Sequence, residues 1–151
     1  MIALLMLPSL FSSMNLGLEG KVGAMYGTHV PSGVATHVGG LLEFSLIGWV
    51  GNTGFEALFG MNSGPEDDLW VEALMSKNLG DEKEGKLLVF GLGLYAVGDG
   101  SPGLVLGFQY QMLRDKWANI IPQIKMNAIY GRQDAIIRYN VEALIGVALV
   151  I

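Results

Sequence analysis

Residues 137–149 read IRYNVEALIGVAL. Ile137, Tyr139, Val141, Ala143, Ile145, Val147 and Leu149 share one phase of a two-residue alternation, and Arg138, Asn140 and Glu142 occupy the other. Successive side chains of a β-strand point to opposite faces, so this segment is a strand with one oily and one polar side. Residues 16–26, LGLEGKVGAMY, behave the same way. Leu16, Leu18, Gly20, Val22, Ala24 and Tyr26 alternate with a phase that carries Glu19 and Lys21. In a soluble protein the oily side would be the core. The alternative is that it faces lipid.

The 151 residues suit one domain that can bury a sizeable core. Hydrophobic residues make up 51% and charged residues 15%, against roughly 25% charged in an average soluble domain. Mean hydropathy is +0.43, yet no window of about 20 residues reads as a spanning helix. The run 87–98 stops at Asp99, 143–151 is too short, and 22–42 is broken by His29, Pro31, His37 and several glycines. High hydropathy without helical spans leaves the closed β-barrel as the other way to satisfy backbone groups in lipid. The 22 glycines also favour strands here, and the absence of cysteine fits a periplasm-facing or outer-membrane chain. A net charge of −5 and no basic stripe argue against a nucleic-acid partner.

Eight strands are predicted, over 16–28, 35–50, 55–62, 69–77, 86–97, 104–113, 120–131 and 135–151. HVPSG, GNTG, NSGPEDD, NLGDEKEG, GDGSPG, RDKWAN and GRQD punctuate them with the Gly, Pro, Asn and Asp that sharp reversals need. The phase test holds along all eight. Phe44 and Leu46 oppose Glu43 and Ser45; Phe55 and Phe59 oppose Glu56; Leu69 and Val71 oppose Trp70 and Glu72. Phe90, Leu92 and Leu94 oppose Gly91, Gly93 and Tyr95; Leu106 and Phe108 oppose Gly107 and Gln109; Ile124 and Met126 oppose Lys125 and Asn127. Lys77, a charge in the apolar phase, stands at a strand end.

A water-facing side should be densely charged. This polar phase instead carries Gly, Ser, Asn and Gln, with Glu19, Glu43, Glu56, Glu72 and Glu142 against Lys21, Lys125 and Arg138. Small, amide and opposite-charge residues suit the interior of an eight-stranded barrel, where side chains just fill the space. The apolar phase then meets lipid. The expected fold is all-β, an eight-stranded antiparallel up-and-down transmembrane β-barrel with short turns. With strand one running upward, Tyr26, Tyr130 and Tyr139 fall at upper strand ends, and Phe55, Tyr110 and Trp117 at lower ones. The tyrosines Tyr26, Tyr110, Tyr130 and Tyr139 are the candidate aromatic girdle, although aromatic residues favour strands in any case.

In this pattern the chain resembles the small eight-stranded outer-membrane barrels, of which the OmpA transmembrane domain is the familiar example. The resemblance covers residues 16–151 and implies an outer-membrane location and membrane lipid as the immediate partner, with other membrane or periplasmic proteins as further ones. It departs at the C-terminus, where Leu149, Val150 and Ile151 replace the usual terminal aromatic residue, and in its uniformly short loops. Residues 1–15, MIALLMLPSLFSSMN, form a separate apolar segment, a signal-like remnant or an interfacial piece.

Counted from the upper strand ends, Lys125, Glu142, Lys21 and Glu43 lie at similar depth on four consecutive strands and alternate in sign, with Arg138 and Glu19 close by. Buried charges are tolerable when paired and hydrogen-bonded. The expectation is an ionic plug that closes the lumen.

The rival class is an outer-membrane enzyme that modifies lipid through a Ser–His pair. His37 and Ser45 share strand two but are eight residues apart, too far to hydrogen-bond, and His29 and Ser32 have no acid evident beside them. A lipocalin-like carrier of apolar ligands is a further alternative. The acidic turns Glu66–Asp68 and Asp81–Glu84 lack calcium-loop spacing. GLGLYAVGDG has no following helix for a nucleotide loop, and its glycines read as close packing in a narrow barrel. No catalytic residue, metal or cofactor is expected. The predicted role is structural: an anchor, scaffold or subunit of a larger assembly.

Overall fold

The computed structural model describes residues 15–30, 35–63, 68–79, 85–95, 100–112, 118–130 and 137–150. The apolar 1–15 segment, apart from Asn15, lies outside them. Eight strands follow in chain order: β1 (Asn15–Val30), β2 (Ala35–Val50), β3 (Thr53–Ser63), β4 (Asp68–Asn78), β5 (Lys86–Tyr95), β6 (Ser101–Tyr110), β7 (Ala118–Tyr130) and β8 (Ile137–Val150). Each pairs antiparallel with the next, and β8 closes on β1. The barrel is all-β and up-and-down. Closure removes every sheet edge, so each strand's backbone groups are paired within the wall.

The alternation predicted from residues 137–149 is the alternation observed. β3 reads buried and exposed at every second residue from Gly54 to Ser63, and β6 does so over its whole length. The exposed phase is apolar: Leu92 and Leu104 are each 63% exposed, Ile124 61% and Ile145 56%. Every glutamate on the described strands is buried instead. The soluble-barrel alternative required the reverse, an oily inside and a charged outside. This chain presents oil outward, the arrangement of a transmembrane barrel.

The stagger of the barrel is fixed by its pairing. Starting at Glu19, partners run through Ser45, Leu58, Glu72, Gly93, Gly103, Ile129 and Arg138 and return to β1 at His29, ten residues farther along. That shear tilts strands by roughly 40° from the barrel axis in a barrel of this size. It also shifts the depth of residues that look level when counted from strand ends.

One reversal is tight. Gly51 and Asn52 join β2 to β3, with Gly51 at φ 56°, in the left-handed region where a side chain is strained. The turn is tied to its neighbour by the Asn78 amide, which donates to the Asn52 carbonyl at 3.1 Å.

Candidate functional site

The inward phase fills the lumen with two lysines, five glutamates and a layer of apolar side chains. Lys21 on β1 and Lys125 on β7 are each 1% exposed or less, and Glu19, Glu43, Glu56, Glu72 and Glu142 are at most 4% exposed. An isolated charge this deep would be costly, so its partners decide whether the fold can hold it.

Each lysine gathers its own set. Lys21 Nζ lies 3.0 Å from Glu19 Oε2 on the same strand and 2.9 Å from Glu56 Oε1 on β3. Lys125 Nζ meets Glu43 on β2, Glu72 Oε2 on β4 at 2.8 Å, and Glu142 Oε2 on β8 at 3.2 Å. Strands β2, β4 and β8 lie on different sides of the wall, so Lys125 ties the barrel across its width. Two side chains complete the Lys125 cluster. The Tyr95 hydroxyl donates to Glu72 Oε1 at 2.6 Å, and Asn127 Nδ2 donates to Glu142 Oε1 at 2.5 Å.

The inward charges do pair, but their wiring differs from a ring of alternating neighbours. Lys125 does pair in register with Glu142, and Lys21 with Glu43. Between β8 and β1, however, Glu142 pairs with Met25 and Lys21 with Gly146, a four-residue offset. Shear therefore splits the expected ring into two clusters, and Glu43 turns to Lys125. Arg138 sits four residues nearer the upper mouth than Glu142, half-buried and level with Ile129. Glu56 and Glu72 belong to the clusters and were not in the predicted network. Their signal was available: both are mid-strand acids in the inward phase.

The inward phase is also more apolar than its glycines, amides and charges suggested. Met25, Leu41, Leu58, Trp70, Leu74, Val89, Tyr95, Val105, Ile129 and Leu144 form one buried cluster inside the lumen. The Trp70 and Tyr95 rings stack with centroids 6.3 Å apart. Glycine makes this possible: a Cβ on Gly93 or Gly103 would fall 2.6 or 2.7 Å from the Tyr95 ring. Gly60 gives the Trp70 ring its space in the same way. The glycines that read as close packing are sockets for aromatic rings.

The four candidate girdle tyrosines all lie outside: Tyr26 is 50% exposed, Tyr130 48%, Tyr110 39% and Tyr139 37%. Tyr26, Tyr130 and Tyr139 cluster at the upper ends of β1, β7 and β8, and Tyr110 lies at the lower end of β6. Of the residues weighed for a lipid-modifying enzyme, Ser32 and the side chains of His29 and His37 lie outside the described residues. Ser45 is buried in the lumen, paired in register with Glu19. Among the described residues no cluster of His, Cys, Asp or Glu could hold a metal. The acidic turns 66–67 and 81–84 lie outside them, as does Trp117.

The sequence matches no family model and no curated protein. Solved structures do match in fold. Neisserial surface protein A, NspA, aligns with a TM-score of 0.70 over 89% of this chain and 96% of its own, at 10% identity. Ail, the attachment invasion locus protein of Yersinia pestis, aligns at 0.51 over 89% and 99%, at 12% identity; it was solved with the heparin analogue sucrose octasulfate. A de novo designed transmembrane β-barrel aligns at 0.50 over 89% and 95%, at 10% identity. At such identities the shared property is the fold. The fold is that of the small eight-stranded outer-membrane barrels, which the alternation of residues 16–151 resembled.

Proposed function

We propose that the chain is a non-catalytic outer-membrane barrel whose ion-paired lumen is a strut and not a passage. In this reading it serves as an anchor, scaffold or subunit, with membrane lipid around it and other membrane or periplasmic proteins as its partners. One observation carries the reading: Lys125 is held by carboxylates from three separate strands, β2, β4 and β8. A channel would keep its mobile groups apart. Here a single ammonium spans the lumen, and apolar side chains fill the space around it. Each broken partner of a buried ion pair costs about 3–5 kcal/mol, so thermal opening is rare.

The test joins two measurements. Folded barrel in detergent should migrate differently on a gel before and after boiling, and in planar bilayers the protein should show little conductance. Replacing Glu142 or Lys21 with Ala should lower stability or raise conductance. Unchanged unfolding curves and conductance in both variants would reject the strut. Lipid A with an unaltered mass in cells expressing the protein is the expected result for a non-catalytic barrel; a new modification would make it an enzyme.

A further inference from the structure

Lys77 breaks the rule of the outer face. It stands in the apolar phase of β4, exposed, as Lys86 does at the start of β5, and among the described side chains these two are the exposed charges on the strands.

What lies above Lys77 gives that charge a meaning. Met75, two residues farther up β4, and Phe55, two residues beyond Thr53 on β3, begin an apolar groove in the outer wall. Its volume is about 800 Å³. Phe90 and Met126 border it farther along, and the small side chain of Ala73 leaves it deep. Thr53 and Lys77 are partners in register at its lower end, where Lys77 Nζ donates to Thr53 Oγ1 at 3.4 Å. A cation and a hydroxyl therefore sit at one end of an oily trough. That is the polarity of an anionic amphiphile, with the trough inside the band that lipid covers.

We infer that Lys77 and the groove above it form a binding site for one anionic glycerophospholipid, phosphate on Lys77 and an acyl chain along the β3–β7 wall. The site rests on the bilayer placement proposed above and adds a preferred lipid to it. The lipid belongs to the leaflet on the side of the β2–β3 turn. A lysine beside an anionic headgroup favours it roughly five-fold, the equivalent of about 1 kcal/mol.

The experiment reconstitutes the protein in nanodiscs of equal phosphatidylglycerol and phosphatidylcholine and counts the lipids it retains by native mass spectrometry. Heat-modifiable migration, measured on every sample, reports the folded barrel independently of lipid choice. Wild type should retain one lipid with a several-fold preference for phosphatidylglycerol. K77Q should bring the two lipids near parity. A73W, which fills the groove, should release both, while A24W on the opposite wall should behave as wild type. If A73W does not fold, L92W takes its place. No phosphatidylglycerol preference in wild type, or the same retention in K77Q and the groove variants, would overturn the site. So would a dimer mass in place of a lipid adduct that disappears with A73W.

Discussion

Lys125 on β7 reaches across the barrel to Glu72 on β4, Nζ to Oε2 at 2.8 Å, and Glu72 in turn accepts the Tyr95 hydroxyl from β5. Three strands are thereby joined through the lumen by side chains alone, where wall hydrogen bonds join only neighbours. The consequences divide between the lysines, the aromatic sockets and the lipid face.

Five buried carboxylates share two lysines, so the lysines and the acids are not equivalent. Removing the Lys125 charge leaves Glu43, Glu72 and Glu142 facing one another without their cation. K125M should cost about 3–5 kcal/mol in urea unfolding from lipid vesicles. E19Q removes one charge of the majority sign and keeps an amide, so it should cost much less, about 1 kcal/mol or below. Equal costs would contradict the two-cluster description.

Tyr95 contributes a ring and a hydroxyl that can be separated. Y95F keeps the ring in its Gly93–Gly103 socket and removes the donor to Glu72, a loss of about 1–3 kcal/mol. Y95A also empties the socket and should cost about 3–5 kcal/mol. G103V should be as damaging as Y95A, because its side chain and the ring need the same space.

The outward phase gives a depth-dependent test. Arginine on the lipid face costs about 2–4 kcal/mol at the bilayer midplane and about 0–1 near the interfaces. Leu106, 54% exposed in the middle of β6, should show the larger penalty as L106R. Leu69, 50% exposed at the upper end of β4, should show the smaller as L69R. Equal penalties at the two sites in vesicle unfolding would place the wall in water.

Gly51 holds the two-residue turn at φ 56°. A side chain in that region costs about 1–2 kcal/mol, so G51V should be destabilised by about that amount. Gly20, on the outer face of β1 with only the Phe44 ring nearby, should tolerate alanine with little change.

The strands, their order and the direction of each face were legible because a period of two is unambiguous over ten or more residues. Predicted and observed β2 share the same bounds, and the others differ by at most three residues at an end. The depth of the charges was legible only locally. Lys125 with Glu142 and Lys21 with Glu43 follow from neighbouring hairpins, whereas the β8–β1 offset depends on a shear summed around the whole barrel. Reach was not legible either: a long lysine can choose an acid across the lumen over one beside it, as Lys125 does with Glu72. The apolar lumen layer was hidden for a different reason. Leu74, Val105, Ile129 and Leu144 are flanked by other apolar residues, so hydropathy does not single them out, and only the phase carried from Glu72, Gly107, Asn127 and Glu142 turns them inward.

The central claim is that oil faces out and charge faces in, and residues 137–149 can be asked directly. The chain has no cysteine, so single cysteines along β8 can be spin-labelled one at a time in lipid vesicles without background. Val141, Ala143, Ile145 and Val147 should be accessible to dissolved oxygen and shielded from aqueous nickel, and Asn140, Leu144 and Ala148 should be protected from oxygen. That period of two, in that phase, is the result this account predicts. The opposite phase, or labels equally open to nickel along the whole strand, would contradict it.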